Sequence, residues 1–574
     1  MADTDQLIAL LEEVASLLEL KGENPFKTKA YRSAAQTIAG VDMDLATLAA
    51  AAAQMKGIGK TISQQIGEFA ADGKIAYHEE LKASIPAVIF DMVKIPGLGP
   101  KKAWFLYQEL GIQSVGELEY ACRENRLQQL KGFGAKTQQA ILEGIEYQRH
   151  SRGRFLLSDA WQLAKQIAAF LGSQSAISQA EVAGSIRRRA ETVSDLDIVV
   201  ATTVPEEAAE IIAAMDGIDR VVSKGLSKIS VTLQAGMNLD VRLVPPERFA
   251  ACLHHFTGSK EHNIALRARA KELGLKLNEY GLTDDGGKEV IVGDESELYR
   301  HLGLHYIPPE LREGRDELIA AEKGPIPQLV SEGDLKGVFH AHTVYSDGTA
   351  TIRQMAEACR RQGLSYLGIT DHSRTAVYAG GLTVEAVLAQ REEIDALNQE
   401  WQDFRIFAGI ESDILPDGSL DYPDEVLACF DFVIASVHSA FRQSEAEMTE
   451  RICRAMKNPY VTMLGHPTGR ILLGRPGYAV DMAAVIAAAG DTGTIIEINA
   501  NPYRLDIDWR HLAQVRSRGV LVSVNPDAHS IPELDHVRYG IAMARKGGLG
   551  ATDVLNTRPL AELIPLLHKK RAAL

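Results

Sequence analysis

Nine residues in the C-terminal part of the chain are of the types that hold divalent metals: His340, His342, Asp347, His372, Glu411, His438, His466, Asp527 and His529. Each falls at or just after the end of a short apolar run: VFHAH, YLGITDH, IFAGIE, FVIASVH, VTMLGH and LVSVNPDAH. Such runs read as buried parallel strands, and the segments between them as amphipathic helices. When strands and helices alternate in a closed barrel, the strand C-termini converge on one face, so ligands distant in sequence meet. Imidazole and carboxylate without cysteine suit Zn²⁺, Mn²⁺ or Fe²⁺, and nine ligands are too many for one ion. Paired ions can hold both the attacking and the leaving oxygen of a phosphoester. A further run, TIIEINAN, ends in Glu497 and Asn499, which are expected on the same face without binding metal.

A second set of acids lies in the middle. AGSIRRRAETVSDLDIVVA has a glycine-serine turn, an arginine run, and then Asp195 and Asp197 opening a β-rich stretch. Residues two apart on a strand face the same side. KISVTLQAGMNLDVRLVP reads as a hairpin, with Leu239, Val241 and Leu243 inward and Asp240 and Arg242 on the other face. Three carboxylates on adjacent strands can hold two Mg²⁺ ions beside a nucleoside triphosphate. Ser185 and Arg188 sit where they could bind its outer phosphates, the arginine through paired hydrogen bonds. FTGSKEHNIALRARAKELG starts a helix near Ser259, with Asn263 and Arg267 one turn apart, able to touch a nascent base pair.

Three segments near the front repeat one pattern: KGIGKTISQQI, PGLGPKKAWFL and KGFGAKTQQAI. Each has Gly-apolar-Gly before a helix. The glycines Gly57 and Gly59, Gly97 and Gly99, and Gly132 and Gly134 let the backbone approach a ligand closely. The helix start adds free N–H donors that suit a phosphate, with Lys60 and Lys101 beside two of the turns. The repeat resembles the helix-hairpin-helix pattern by which many repair proteins grip a DNA backbone without reading its sequence, against the alternative of three ordinary turns between helices. Helices are expected at residues 4–20 and 25–39. On the second, Lys27, Tyr31 and Arg32 could hold a DNA end or form a solvated surface.

The 574 residues make several domains, 46% hydrophobic and 24% charged, which excludes a disordered chain. No run is long enough to cross a bilayer, and MADTDQL lacks the pattern of a signal peptide. The five cysteines, without CxxC spacing, suit a reducing cytoplasm. A net charge of −15 says little about nucleic acid, since binding follows local basic clusters rather than the sum. His78, His254, His301, His305, His511, His536 and His568 have no partner pattern and are expected to be surface or structural.

GSIRR from Gly184, SDLD from Ser194, LDVR from Leu239 and FTGSKEHN from Phe256 resemble the signature motifs of the family X DNA polymerases, relatives of polymerase beta. That resemblance spans residues from about 5 to 315. The strand-end ligands resemble the polymerase and histidinol phosphatase (PHP) domain, and together the two match the bacterial and archaeal family X polymerases. The resemblance implies that Asp195, Asp197 and Asp240 bind two Mg²⁺ or Mn²⁺ ions, with Asp240 accepting the primer proton. Ser185 and Arg188 would contact triphosphate, Phe256 and Gly258 the sugar, and Asn263 and Arg267 the base pair and template. In the PHP domain it implies two to three Mn²⁺ or Zn²⁺ ions. One would sit on His340, His342, Glu411 and Asp527, a second on Asp347, His372 and His529, and a third on Glu411, His438 and His466. The implied activity there is a Mn²⁺-dependent 3′–5′ exonuclease, with cleavage at abasic sites in some members. Two positions depart from the family pattern. Gln65 stands where polymerase beta has its Schiff-base lysine, with Lys60 shifted along the helix. His255 stands where the vertebrate enzymes have tyrosine.

The expected architecture is multidomain. A helical DNA-end-binding domain with a helix-hairpin-helix occupies 1–85, and a second helix-hairpin-helix region occupies 86–150. An α+β nucleotidyltransferase palm spans 151–245, a thumb 246–315, a linker 316–334, and a distorted (β/α)₇ PHP barrel 335–574. The expected protein is a cytoplasmic, monomeric gap-filling repair polymerase acting on primed or gapped DNA and deoxynucleoside triphosphates, with no membrane partner. The alternatives are a non-templated nucleotidyltransferase joined to a small-molecule phosphoesterase, and a DNA-binding scaffold with decayed sites. Three hairpin motifs count against the first, and twelve intact candidate ligands against the second.

Overall fold

Helices dominate the first part of the chain because its apolar residues recur every three to four positions. Thr4–Leu20 buries Leu7, Leu11, Val14 and Leu18 on one stripe. Pro25–Ala39 starts where the Asn24 side chain accepts from the Phe26 N–H, and its proline stands in the first turn, where no backbone donor is needed. The computed structural model describes residues 4–21, 23–41, 43–95, 98–149 and 153–573. It divides into two compact units: residues 1–122 with 127–148, and residues 123–126 with 149–574. In the first unit Leu11, Ile66, Ile89, Leu106 and Ile141 belong to one apolar core, so the boundary expected at residue 85 does not separate two cores.

The second unit contains the palm, thumb and barrel. The palm sheet has five strands in the spatial order Gln179–Val182, Asp195–Ala201, Asn238–Val244, Lys228–Leu233 and Ile218–Lys224. Only the pair Asp195–Ala201 and Asn238–Val244 is parallel, and its register sets Asp197 beside Asp240. Leu239, Val241 and Leu243 are buried, as the alternation requires. The thumb joins helices Phe249–Thr257 and Lys260–Glu272 to a small three-stranded sheet. Residues 316–334, expected as a linker, are packed instead. Glu317–Lys323 is a helix whose Ala321 lies in the thumb core, and Val330 is fully buried and donates its N–H to the Leu549 carbonyl.

Seven parallel strands then follow in sequence order: Gly337–Ala341, Tyr366–Ile369, Arg405–Asp413, Phe432–Ser436, Met463–Leu464, Ile495–Asn499 and Val522–Asn525. Bonds between His342 N and Ala528 O, and between Ala528 N and His340 O, bring the last strand's end against the first. Among the described residues no helix is long and apolar enough to cross a membrane. Palm residues such as Leu157 and Trp161 share one apolar core with barrel residues such as Tyr539 and Leu549. The Trp161 and Tyr539 rings meet edge to face, with centroids 6.4 Å apart.

Tight packing inside the barrel makes a prediction. A Cβ at Gly409 would lie 2.4 Å from Phe432 Cζ and 2.8 Å from the Ile369 carbonyl oxygen. Gly409→Ala should therefore destabilise the fold by about 1–3 kcal/mol, the usual cost of overpacking a core. A thermal melt showing an unchanged Tm would refute this packing.

Candidate active sites

The barrel mouth gathers all nine expected ligands, and their side chains are at most 5 % exposed. His340 Nε2 lies 3.4 Å from both Glu411 Oε1 and Asp527 Oδ1, and His342 Nε2 lies 3.3 Å from Asp527 Oδ1. His372 Nε2 and His529 Nε2 are each 3.5 Å from Asp347 Oδ2. His438 Nε2 and His466 Nε2 are 3.2 and 2.9 Å from Glu411 Oε1. Ligand atoms bonded tetrahedrally at about 2.1 Å from one ion are about 3.4 Å apart, so most of these spacings suit a shared metal. Three overlapping groups of donors result: His342, Asp347, His372 and His529; His340, His342 and Asp527; and His372, Glu411 and His438. His340 Nε2, both nitrogens of His342 and His372, Asp347 Oδ2 and His529 Nε2 are buried without a hydrogen-bond partner among the described residues. Polar atoms left so in a dry interior are costly, and coordination would satisfy them. The donor set fits metal.

A second layer of polar groups aims these ligands. Glu497 accepts from His340 Nδ1 at 2.6 Å, from the His466 N–H at 2.7 Å and from Asn525 Nδ2 at 2.8 Å. Asn499 donates to Glu497 at 3.2 Å and to Asp527 at 3.0 Å. Asp413 accepts from His438 Nδ1 at 2.6 Å. Asp371 accepts from the Thr343 and Ser346 backbone N–H groups and from Gln390, which fixes the turn leading to Asp347. Burial opposes charge on His340, yet Glu497, Asp527 and Glu411 hold its pKa well above the ordinary value. Burial, then the His529 and His372 rings, push His342 down to about 4, which leaves a neutral imidazole. His340, His466 and Asp527 also have left-handed backbones, with φ of 60°, 23° and 53°. Glu497 and Asn499 are legible at a strand end, whereas the spacing of ligands does not single out Asp371 and Asp413. Their only signal is nearness in sequence to His372 and Glu411.

In the palm a cleft of about 420 Å³ is lined by Ser185, Arg188, Asp195, Asp197, Phe256, Gly258, Asn263 and Arg267, with Gly184, His255 and Lys260. All the expected nucleotide-binding residues therefore meet. Asp240 stands beside Asp197 across the parallel pair, accepting from Ser230 Oγ at 2.6 Å and pairing with Lys228 Nζ at 2.6 Å. Sequence reasoning misses those two partners, because only the hairpin register reveals them. Burial, then Asp195 and Asp240, push the Asp197 carboxyl up to about 7. Crowded acids of this kind call for a hard cation. A Cβ at Gly184, where φ is +61°, would lie 2.1 Å from Asp197 Oδ2, so the turn before Ser185 must be glycine. Arg188 donates to the Thr257 carbonyl at 2.5 Å and to Glu313 at 3.2 Å. Asn263 Nδ2 donates to the His255 carbonyl at 2.8 Å.

The hairpin turns share a design. Ile58, Leu98 and Phe133 are buried, while Gly57, Gly59, Gly99, Gly132 and Gly134 are exposed, as are Lys60 and Lys101. Gly97 lies outside the described residues. Gly57 and Gly132 have φ of +99° and +92° and need glycine for the turn. Gly59, Gly99 and Gly134 face open space, so nothing within the fold demands glycine there. Tyr31 is buried and donates to Gln65 Oε1 at 2.9 Å, which removes it from the basic and aromatic face expected with Lys27 and Arg32. Gln65 is likewise a core residue rather than a reactive one. His254 is structural, hydrogen-bonded to the Tyr299 hydroxyl at 3.0 Å.

Comparison with known proteins agrees with this geometry. Residues 252–313 match the DNA polymerase beta thumb, residues 339–501 the PHP domain, residues 3–75 a helix-hairpin-helix domain, and residues 90–146 a SAM-like helix-hairpin-helix tandem. The DNA polymerase/3'-5' exonuclease PolX of Bacillus subtilis (strain 168) is 41% identical over 566 residues, covering 98% of this chain and 99% of that protein. A probable phosphatase of Thermoanaerobacter sp. (strain X514) is 28% identical over 229 residues, 38% of this chain and 89% of its own. With two distinct acid-rich sites and a likeness that runs nearly end to end, the chain belongs to the PolX family of DNA polymerase/3'-5' exonucleases.

Proposed function

We propose that the protein fills short gaps in DNA by template-directed nucleotide addition in the palm and trims 3′ ends in the barrel. The observation that carries this reading is the single cleft shared by Asp195, Asp197, Ser185, Arg188, Phe256, Asn263 and Arg267, with Asp240 beside Asp197 on the next strand. Its side chains are of the types that orient a nucleoside triphosphate against a primer end. Asp195, Asp197 and Asp240 would hold two Mg²⁺ or Mn²⁺ ions, which supply charge neutralisation at the reacting phosphate. Asp240 takes the proton of the primer hydroxyl, Ser185 and Arg188 bind the outer phosphates, and Phe256 and Gly258 line the sugar. The exposed, sterically unneeded glycines of the hairpins let a DNA backbone approach their amides.

In the barrel His340, His342, Glu411 and Asp527, then Asp347, His372 and His529, then Glu411, His438 and His466 would hold two to three Mn²⁺ or Zn²⁺ ions, which supply an activated water for phosphodiester cleavage. Glu497 and Asp413 orient the His340 and His438 rings by hydrogen bonds to their Nδ1 atoms, and all nine residues are shielded from bulk water. On this reading the protein works as a monomer in the cytoplasm.

The test uses a 5′-labelled primer on a one-nucleotide gap with Mn²⁺. Extension is expected with deoxynucleotides and shortening without them. Asp240→Ala should abolish extension and spare shortening, and His342→Ala should do the reverse. Loss of both activities in either folded variant would sink the assignment of separate sites. Glu497→Gln keeps the shape of the support for His340 but removes its charge. It should weaken barrel metal affinity about 10–100-fold, the usual effect of losing such a support. A Mn²⁺ titration of the shortening reaction that matches wild type would contradict this role.

A further inference from the structure

The turn that carries Ser185 and Arg188 is held by the barrel. Lys546, the last residue of helix Val537–Lys546, is only 4 % exposed. Its ammonium donates to the backbone carbonyl of Arg188 at 2.8 Å, to the carbonyl of Glu310 at 3.5 Å, and to the Glu313 carboxylate. The same Glu313 oxygen accepts from Arg188 Nε at 3.2 Å. Three residues further on, Glu191 is gripped by Arg510 at 3.1 Å and Arg470 at 3.4 Å, both from the barrel. Between these two anchors Arg189 has φ of 59°, a conformation that a residue with a side chain holds only when its surroundings enforce it.

We propose that Lys546 is a positioning residue for nucleotide addition: through Glu313 and the Arg188 carbonyl it fixes the turn that presents Arg188 to the triphosphate. The proposal rests on the reading of Arg188 as a phosphate ligand. A buried ammonium satisfied by two carbonyls and one carboxylate makes a rigid three-way anchor. Arg188 reaches the cleft with its main chain and its Nε both fixed, leaving little freedom to be lost when phosphate binds. The barrel is thereby a working part of the polymerase site as well as a second active site.

The experiment is steady-state single-nucleotide gap filling by the full chain, comparing wild type, Lys546→Met, Arg188→Ala and the double variant. Lys546→Met should raise the KM for deoxynucleotide about tenfold, the scale of one charge-assisted hydrogen bond, with little change in kcat. Its 3′–5′ shortening rate should equal that of wild type. In the Arg188→Ala background the same change should have no further effect on KM. An unchanged KM in Lys546→Met overturns the proposal, and so does additivity of the two substitutions, because Lys546 would then act by another route. If Arg188→Ala itself leaves KM unchanged, the reading of Arg188 falls first. If Lys546→Met also loses shortening and melts early, Glu313→Gln decides, since it removes the shared carboxylate at a partly exposed position. It should raise KM as well, and a lowered KM would mean that Glu313 competes with the triphosphate and would overturn the proposal.

Discussion

Glu497 is the interaction on which the barrel mouth depends. It is fully buried, and its two oxygens gather the His340 ring, the His466 backbone, Asn525 and, from its own strand, Asn499, so that four strand ends meet on it. A carboxylate in so dry a place is tolerable only with every lone pair engaged. Those engagements hold the first ligand and the approach to another in one geometry. The same surroundings sustain left-handed backbones at His340, His466 and Asp527, each a strain of about 1–3 kcal/mol that a bare loop would relax. The imidazoles at the strand ends are thus held in place by a few buried acids, Glu497 and Asp413 among them.

The palm solves a different problem. Its three acids lie on two parallel strands, Asp195 and Asp197 lining an open cleft and Asp240 beside Asp197, and oxygen is the only donor type they offer. Lys228 and Ser230 balance Asp240, while burial, then the neighbouring acids, raise the Asp197 pKa. One chain therefore carries two different kinds of donor set. An all-oxygen set suits hard, hydrated Mg²⁺, and a mixed imidazole and carboxylate set suits Mn²⁺ or Zn²⁺.

The periodicities that place these sites are legible in the amino-acid sequence. Strand-end ligands, the alternation around Asp240 and the Gly-apolar-Gly turns each follow from a local repeat, and the helices Thr4–Leu20 and Pro25–Ala39 begin and end as expected. What escapes such reading is decided by distant neighbours. Tyr31 looks like a surface aromatic until Gln65 of another helix gives its hydroxyl a buried partner. Lys228 and Ser230 face Asp240 only once the hairpin register is known. Residues 316–334 carry the prolines and glycines of a tether, yet Val330 and Ala321 find apolar partners that composition does not reveal.

The continuous core beneath Trp161 and Tyr539 bears on how such a protein could have been assembled and how it can be taken apart. A domain joined by a loose tether can be trimmed off with its outer surface intact. Here, cutting away the barrel would strip the palm of cover and bare Leu157, Trp161 and their neighbours to water. The shortened enzyme would present a sticky apolar face, prone to self-association. In this chain the palm and the barrel are packed through one hydrophobic body and should be expressed and engineered together.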